Sequence, residues 1–176
     1  KGEGHAQLFW YNQIVIATCR QQAKFGTIST HTEKYFYRWA DPYPHTVEDL
    51  DHGSGAPNDQ QRLVAGLLNR HNLLQILRTS TVLMDTDSGP RIKVVCRYQQ
   101  YRAAAKILQR LRTGTTSAER SGVVWHTQGS GKSLTMVFLA RMLRASSDLN
   151  DYKIVLVNDR QDLELQLGET ATLIGA

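Results

Sequence analysis

The chain has 176 residues, enough for one ordinary domain or parts of two. With 41% hydrophobic and 21% charged residues it is a globular sequence, not a disordered one, and no apolar run approaches a membrane span. The net charge is +5 and the excess is local: Arg91 to Arg120 holds eight Arg or Lys and one Glu. Cys19 and Cys96 lie far apart with no CxxC partner, so both are expected to be free thiols of a reducing compartment. The six His lack the spacing of a metal site. The start, Lys1 to His5, has neither Met nor a signal-peptide pattern, and an internal fragment or a tag remnant is expected.

In chain order, Gln7 to Thr18 is rich in aromatic and β-branched residues. It predicts a strand, buried over Ile14, Val15, Ile16 and Ala17. Cys19 to Lys24 is polar and predicts a turn or bulge, and Phe25 to Ser29 the returning strand of a hairpin. Thr32 to Trp39 predicts a short helix or an irregular aromatic segment, ended by Asp41-Pro-Tyr-Pro44. His45 to Asn58 is polar and Gly-rich and marks the best domain boundary. Within it, Glu48-Asp49-Leu50-Asp51-His52 has the letters of an acidic helicase box but follows no apolar strand, so it reads as a solvated loop.

Asp59 to Leu68 predicts a helix with Leu63, Val64, Leu67 and Leu68 on one face. Asn72 is expected to cap a second helix carrying Leu73, Leu74, Ile76 and Leu77. Thr79 to Met84 reads as extended, Asp85 to Pro90 as a turn, and Ile92 to Val95 as a returning strand. Asp85 and Asp87 do not continue into a calcium-loop spacing. Arg97 to Arg112 predicts a strong helix, Ala-rich and basic towards its C-terminal end where the dipole favours cations. Thr113 to Arg120 reads as a polar loop.

The most informative stretch comes next. Val123 to Trp125 predicts a short strand, His126 to Gly131 a loop, and Lys132 to Arg144 an amphipathic helix. The loop ends in Gly129-Ser130-Gly131-Lys132-Ser133, a phosphate-binding loop in its expected context. Glycines let backbone N–H groups curl around phosphate oxygens, and the helix N-terminus adds unpaired donors. Thr127, Gln128, Gly129, Ser130, Gly131, Lys132 and Ser133 are therefore the candidate nucleotide-binding residues. Lys132, the candidate catalytic group, is placed to reach the β- and γ-phosphates of ATP, and the Ser133 hydroxyl to ligate Mg²⁺. The slot where the usual pattern has its first Gly is His126.

Lys153 to Val157 predicts another strand, and Asp159 can cap a helix from Arg160 to about Leu173. Strand, loop, helix, strand and helix make a βαβ unit. The fold expectation is α/β: an incomplete P-loop NTPase lobe built on a parallel sheet, preceded by a β-hairpin and a helical linker. Upstream, Gln100 is placed to read adenine through its bidentate amide, with Gln99 as rival and Arg97 able to stack on the base or contact the ribose side. Downstream, Asp159 and Arg160 leave the last strand on the edge where ligands collect, and are candidate DNA-backbone contacts. Plain helix capping by Asp159 and Asp162 is the alternative. Beside such a loop, the basic run favours a nucleic-acid partner.

Taken together, Arg97-Tyr-Gln-Gln-Tyr101, Gly122 to Met136 and Asn158 to Leu163 resemble the restriction (motor-endonuclease) subunit of type I restriction-modification enzymes. The run Trp125-His-Thr-Gln-Gly-Ser-Gly-Lys-Ser133 is more specific than a generic phosphate loop. Phe9 to Val15 with Phe25-Gly26 resembles the end of the family's nuclease domain, and Leu63 to Lys93 its helical linker. The resemblance implies three parts: the end of a nuclease-like domain over 1–44, a linker over 45–90, and the start of a RecA-like ATPase lobe over 91–176. It also implies ATP and Mg²⁺ as cofactors, and double-stranded DNA and the modification and specificity subunits as partners. A bacterial or archaeal cytoplasmic setting, with no membrane, goes with it. No nuclease carboxylate-lysine set precedes the hairpin and no acidic Mg²⁺ box follows Val157, so these residues are expected to contribute to nucleotide binding without turning over ATP or cutting DNA alone.

Overall fold

The computed structural model describes residues 6–30, 32–51, 53, 55–86, 89–149, 152–157, 168 and 172–173. The chain divides into two compact units, Lys1–Tyr98 and Gln99–Ala176.

In the first unit, a 3-10 turn over Ala6–Phe9 occupies the start of the long strand expected from Gln7. Strand β1 is Val15–Thr18 and β2 is Ala23–Gly26. They form the expected hairpin, antiparallel, with Val15 opposite Gly26 and Thr18 opposite Ala23. Burial departs from expectation. Ile14, Val15 and Ile16 are half-buried and Ala17 is exposed, whereas Ala23 and Phe25 are buried. The reason is position in the sheet: Phe25 also exchanges two backbone hydrogen bonds of 2.9 Å with Tyr37, so β2 is flanked on both sides and β1 is an edge. Trp39 packs edge-on against Phe25, ring centroids 5.6 Å apart, and is itself buried.

Helix α1, Asp59–Gly66, starts at Asn58 with a reciprocal capping box to Gln61. Leu63 and Leu67 are buried one turn apart, while Val64 and Leu68 are exposed, so the apolar face is narrower than predicted. Helix α2, Arg70–Thr79, is capped by Asn69 and not by Asn72. Asn72 lies one turn in, fully buried, and its amide donates to the carbonyls of Gly66 at 2.8 Å and Tyr43 at 2.5 Å. Gly66 ends α1, so its carbonyl has no partner within the helix, and Asn72 supplies one. Strands β3, Thr81–Met84, and β4, Ile92–Val95, form the second expected hairpin. Arg91 closes its turn on Asp85, which holds the Asp85 carboxyl below its ordinary range. The other edge of β4 is met by hydroxyls: Lys93 N–H donates to Ser29 Oγ at 2.8 Å, and Thr27 Oγ1 donates to the Lys93 carbonyl at 2.6 Å. The Glu48–Leu50 segment is an exposed local turn in which Asp49 accepts from the Thr46 N–H. Cys19 is free and exposed; Cys96 is free and buried.

In the second unit, helix α3 spans Tyr98–Thr113, its first residue lying in the first unit. It matches the prediction to within a residue, and Tyr101, Ala104 and Leu108 form its buried stripe. The expected polar loop contains a short helix α4, Ser117–Arg120. Helix α5 is Lys132–Ala145, buried through Val137, Phe138, Ala140 and Met142. Arg112 pairs with Asp148 at 2.5 and 2.9 Å, fastening the end of α3 to the loop after α5.

The expected parallel sheet is not seen among the described residues. Val123 to Trp125 and Lys153 to Val157 join no sheet; among the described residues the sheets are the two antiparallel hairpins. Val123 and Trp125 are 92% and 89% exposed, and Val157 90%. A hairpin strand finds its partner across a short turn, but a parallel strand finds it only after a long crossover and gains from burial on both faces. The helix expected from Arg160 lies almost wholly outside the described residues. No helix among those described is long and apolar enough to cross a membrane.

Candidate nucleotide-binding site

The loop before α5 is built from two glycines with left-handed backbone. Gly129 has φ of 73° and Gly131, the N-cap of α5, has φ of 79°. L-residues pay about 1–2 kcal/mol in that region, and glycine does not. The Ser130 N–H donates to the Thr127 carbonyl at 3.3 Å and closes the turn. Gly129 faces open space, with nothing within 4 Å of where a Cβ would sit. Thr127, Gln128 and Gly129 are exposed, Ser130 is buried and Ser133 is half-buried.

The Lys132 ammonium folds back over the loop and donates to the carbonyls of His126, at 3.2 Å, and Thr127, at 3.3 Å. The backbone of His126 does this work. The slot makes no demand for glycine in this structure, because His126 does not adopt a positive φ. Two buried polar atoms in the loop, Ser130 Oγ and His126 Nδ1, have no hydrogen-bond partner among the described residues. Such a group costs about 1–3 kcal/mol while it stays unpaired.

Gln100 comes to this loop, but on its inner side. Its Nε2 donates to the carbonyls of Ser130 at 3.2 Å and Gly131 at 3.0 Å, and the residue is 3% exposed. Carbonyl acceptors require the NH₂ side of the amide to face them, so the donor expected to serve adenine serves the loop in this structure. Gly131 is tied to the same contact, because a Cβ there would lie 2.5 Å from Gln100 Nε2. Gly131→Ala is therefore expected to strain the α5 cap and displace Gln100 together. A thermal midpoint lower by several degrees would show it, and an unchanged midpoint would contradict the cap geometry.

The other predicted residues separate. Arg97 lies in the first unit, 4.2 Å over the Tyr37 ring and donating to its hydroxyl at 2.9 Å. Gln99 is half-buried on α3. Asp159 and Arg160 lie outside the described residues.

The family described as SWI2/SNF2 ATPase matches residues 99–176, which include the whole loop and Gln100. The type I restriction enzyme HindI endonuclease subunit of Haemophilus influenzae is 35% identical over 94% of this chain and 16% of its own length. The relatives that align over nearly all of this chain are type I restriction enzyme endonuclease subunits. Two further relatives agree. The putative MjaIXP endonuclease subunit of Methanocaldococcus jannaschii is 28% identical over 92% of the chain and 16% of its own length. The SauCOLORF180P endonuclease subunit of Staphylococcus aureus is 26% identical over 95% of the chain and, again, 16% of its own length. The chain thus spans about a sixth of the length of the relatives it matches.

Sequence reading missed the arrangement around α4. Thr116 accepts from the Glu119 N–H while the Glu119 carboxylate accepts from the Thr116 N–H and from both the N–H and hydroxyl of Thr115. The Thr-x-x-Glu spacing of a capping box was the available signal. These donors, Thr115 first, hold the Glu119 carboxyl down to about 2 against its ordinary 4.5. A lowered pKa gives a contribution present above the ordinary value and lost as pH falls through the folded one. The Thr115 and Thr116 amide resonances are thus expected to hold their shifts at pH 4 and to move only towards pH 2. Movement centred on pH 4.5 would refute the capping contact.

Proposed function

We propose that the loop from Thr127 to Ser133 holds the triphosphate of ATP with Mg²⁺. In this reading the chain is the ATP-binding part of an ATP-dependent, DNA-translocating type I restriction endonuclease subunit. What carries the reading is the loop itself: two left-handed glycines, a helix start, and an ammonium that among the described residues rests on neutral carbonyls. A phosphate oxygen is charged and accepts more strongly than those carbonyls, so the ammonium can exchange onto it favourably. The buried Ser130 hydroxyl, unpaired among the described residues, would gain an acceptor in the same event. The residues present fit the group.

In the proposal, loop N–H groups and Lys132 bind and orient the phosphates, and the Ser133 hydroxyl supplies a ligand to the metal. Bound ATP and Mg²⁺ supply the phosphoryl group and the charge that neutralises its transfer. Gln100 holds the loop open from within and reads adenine only by giving up a loop carbonyl. Arg97 would likewise leave Tyr37 to reach the base side. Asp159 and Arg160 are proposed DNA-backbone contacts. Val123–Trp125 and Lys153–Val157 are proposed as strands of a parallel RecA-like sheet. Double-stranded DNA and the modification and specificity subunits remain the proposed partners, and the three-part division at 44 and 90 the proposed organisation.

Equilibrium binding of a fluorescent ATP analogue to the chain, with and without Mg²⁺, tests the reading. Saturable, Mg²⁺-enhanced binding displaced by ATP supports it. No binding at millimolar nucleotide refutes it.

A further inference from the structure

The turn from Thr113 to Ser121, at the far end of α3 from Gln100, carries two arginines in an arrangement that capping alone does not require. Arg110 Nε donates to the Glu119 carbonyl at 2.5 Å, and Arg120 Nε donates to the Gly114 carbonyl at 2.8 Å. Each guanidinium is therefore pinned through its inner nitrogen to the backbone of the same turn. Among the described residues neither is paired with a carboxylate, and the terminal nitrogens of both have no protein acceptor. Arg112, by contrast, is paired with a carboxylate, its Nε and one terminal nitrogen donating to Asp148 and that terminal nitrogen also to Ser146.

The turn is shaped around this pair. A Cβ on Gly114 would sit 2.9 Å from Arg120 Cγ and 3.0 Å from the Arg110 carbonyl, so only glycine lets the Arg120 stem cross there. The nearby carboxylate, Glu119, is exposed, and its Oε2 accepts from Thr115 and Thr116. A shallow cleft of about 370 Å³ opens beside them, lined by Arg110, Thr113, Gly114, Thr115 and Glu119. Lys106 lies exposed one turn before Arg110 on α3. Holding an Arg side chain in place removes the rotamer entropy that usually makes surface charge contacts weak. Planar forks with free outer N–H groups suit phosphate oxygens.

We propose that Arg110 and Arg120, with Lys106 beside them, form a second anion-binding surface that grips the phosphodiester backbone of duplex DNA. It is separate from the nucleotide loop. The choice of DNA rests on the motor-endonuclease reading; the surface itself rests on the pinned, unpaired guanidinium groups. No sequence selectivity is expected, because backbone contacts carry none.

The test is titration of the chain with a fluorescent DNA duplex across a salt series, without nucleotide, for the native chain, R110Q/R120Q and R110K/R120K. The double Gln variant is expected to bind more weakly, with a salt slope shallower by about 1.8, two counterions at about 0.9 each. The double Lys variant keeps the charge but not the pinned forks, so most of the slope should stay while affinity falls. Circular dichroism checks folding; if the Gln pair does not fold, the Lys pair alone decides, and native affinity in it overturns the clamp. An unchanged slope in a folded Gln pair also overturns it, as does polyglutamate competing as well as DNA, which would mark an acidic-protein surface. ATP-analogue binding by the same variants should match the native chain. Loss of DNA binding with intact ATP binding isolates this surface, and loss of ATP binding in Lys132→Ala tests the loop independently.

Discussion

The Lys132→Ala chain is expected to bind an ATP analogue about 10- to 100-fold more weakly than the native chain. A hydrogen bond to a charged acceptor is worth about 1.5–3 kcal/mol, and each 1.4 kcal/mol is about tenfold in affinity. Lys132 is exposed and in this structure serves two neutral carbonyls at 3.2 and 3.3 Å, so its removal costs the fold little. The thermal midpoint should stay within about two degrees, as for surface changes of about half a kcal/mol. Affinity and stability are thus expected to separate. Equal ATP affinity in a folded Lys132→Ala chain would remove Lys132 from the phosphate site. A large fall in midpoint would mean that the ammonium holds the loop together, not the nucleotide.

Gly66→Ala is expected to be the most damaging single change to the first unit. Gly66 is buried at the end of α1, where a Cβ would lie 2.3 Å from the Asp41 carbonyl oxygen and 2.4 Å from Trp39 Nε1. Neither neighbour can yield cheaply. One is backbone, and the other belongs to a tryptophan held edge-on against Phe25. The Gly66 carbonyl is also the acceptor for buried Asn72, so a shift of α1 breaks that bond too. Overpacking of this kind costs about 1–3 kcal/mol and a lost buried hydrogen bond about 1–3 more. For a unit of this size the midpoint should fall by roughly 10 degrees or more. Thermal unfolding of the variant checks this. A midpoint within about two degrees of native would show that α1 and the Trp39 segment move apart freely. Helix propensity alone argues the opposite way, since Ala outranks Gly in a helix interior.

The candidate site was largely legible. Gly129 and Gly131 take the left-handed conformation that suits their type, because a left-handed turn before a helix is a local property that few residues can satisfy. Gln100 was picked out from its place upstream of the loop, and it does reach the loop. What could not be read was which way its amide serves, since that depends on whether loop carbonyls or a base lie nearer. The Arg110 and Arg120 pair escaped notice inside a run of basic residues. Nothing local distinguishes a pinned guanidinium from a solvated one until the turn that pins it is folded.

By itself, the sequence determined the elements whose partners are near in the chain. Both hairpins, helix α3 and helix α5 follow from periodicity, turn residues and caps within a few positions of each element. Tertiary structure decided what depends on distant neighbours. It made β2 rather than β1 the inner strand, because Tyr37 pairs with Phe25. It moved the α2 cap to Asn69 and sent Asn72 inward, because the end of α1 left a carbonyl to satisfy. Among the described residues Val123–Trp125 and Lys153–Val157 carry no ladder, because an apolar run states that a strand wants cover but not which strand covers it.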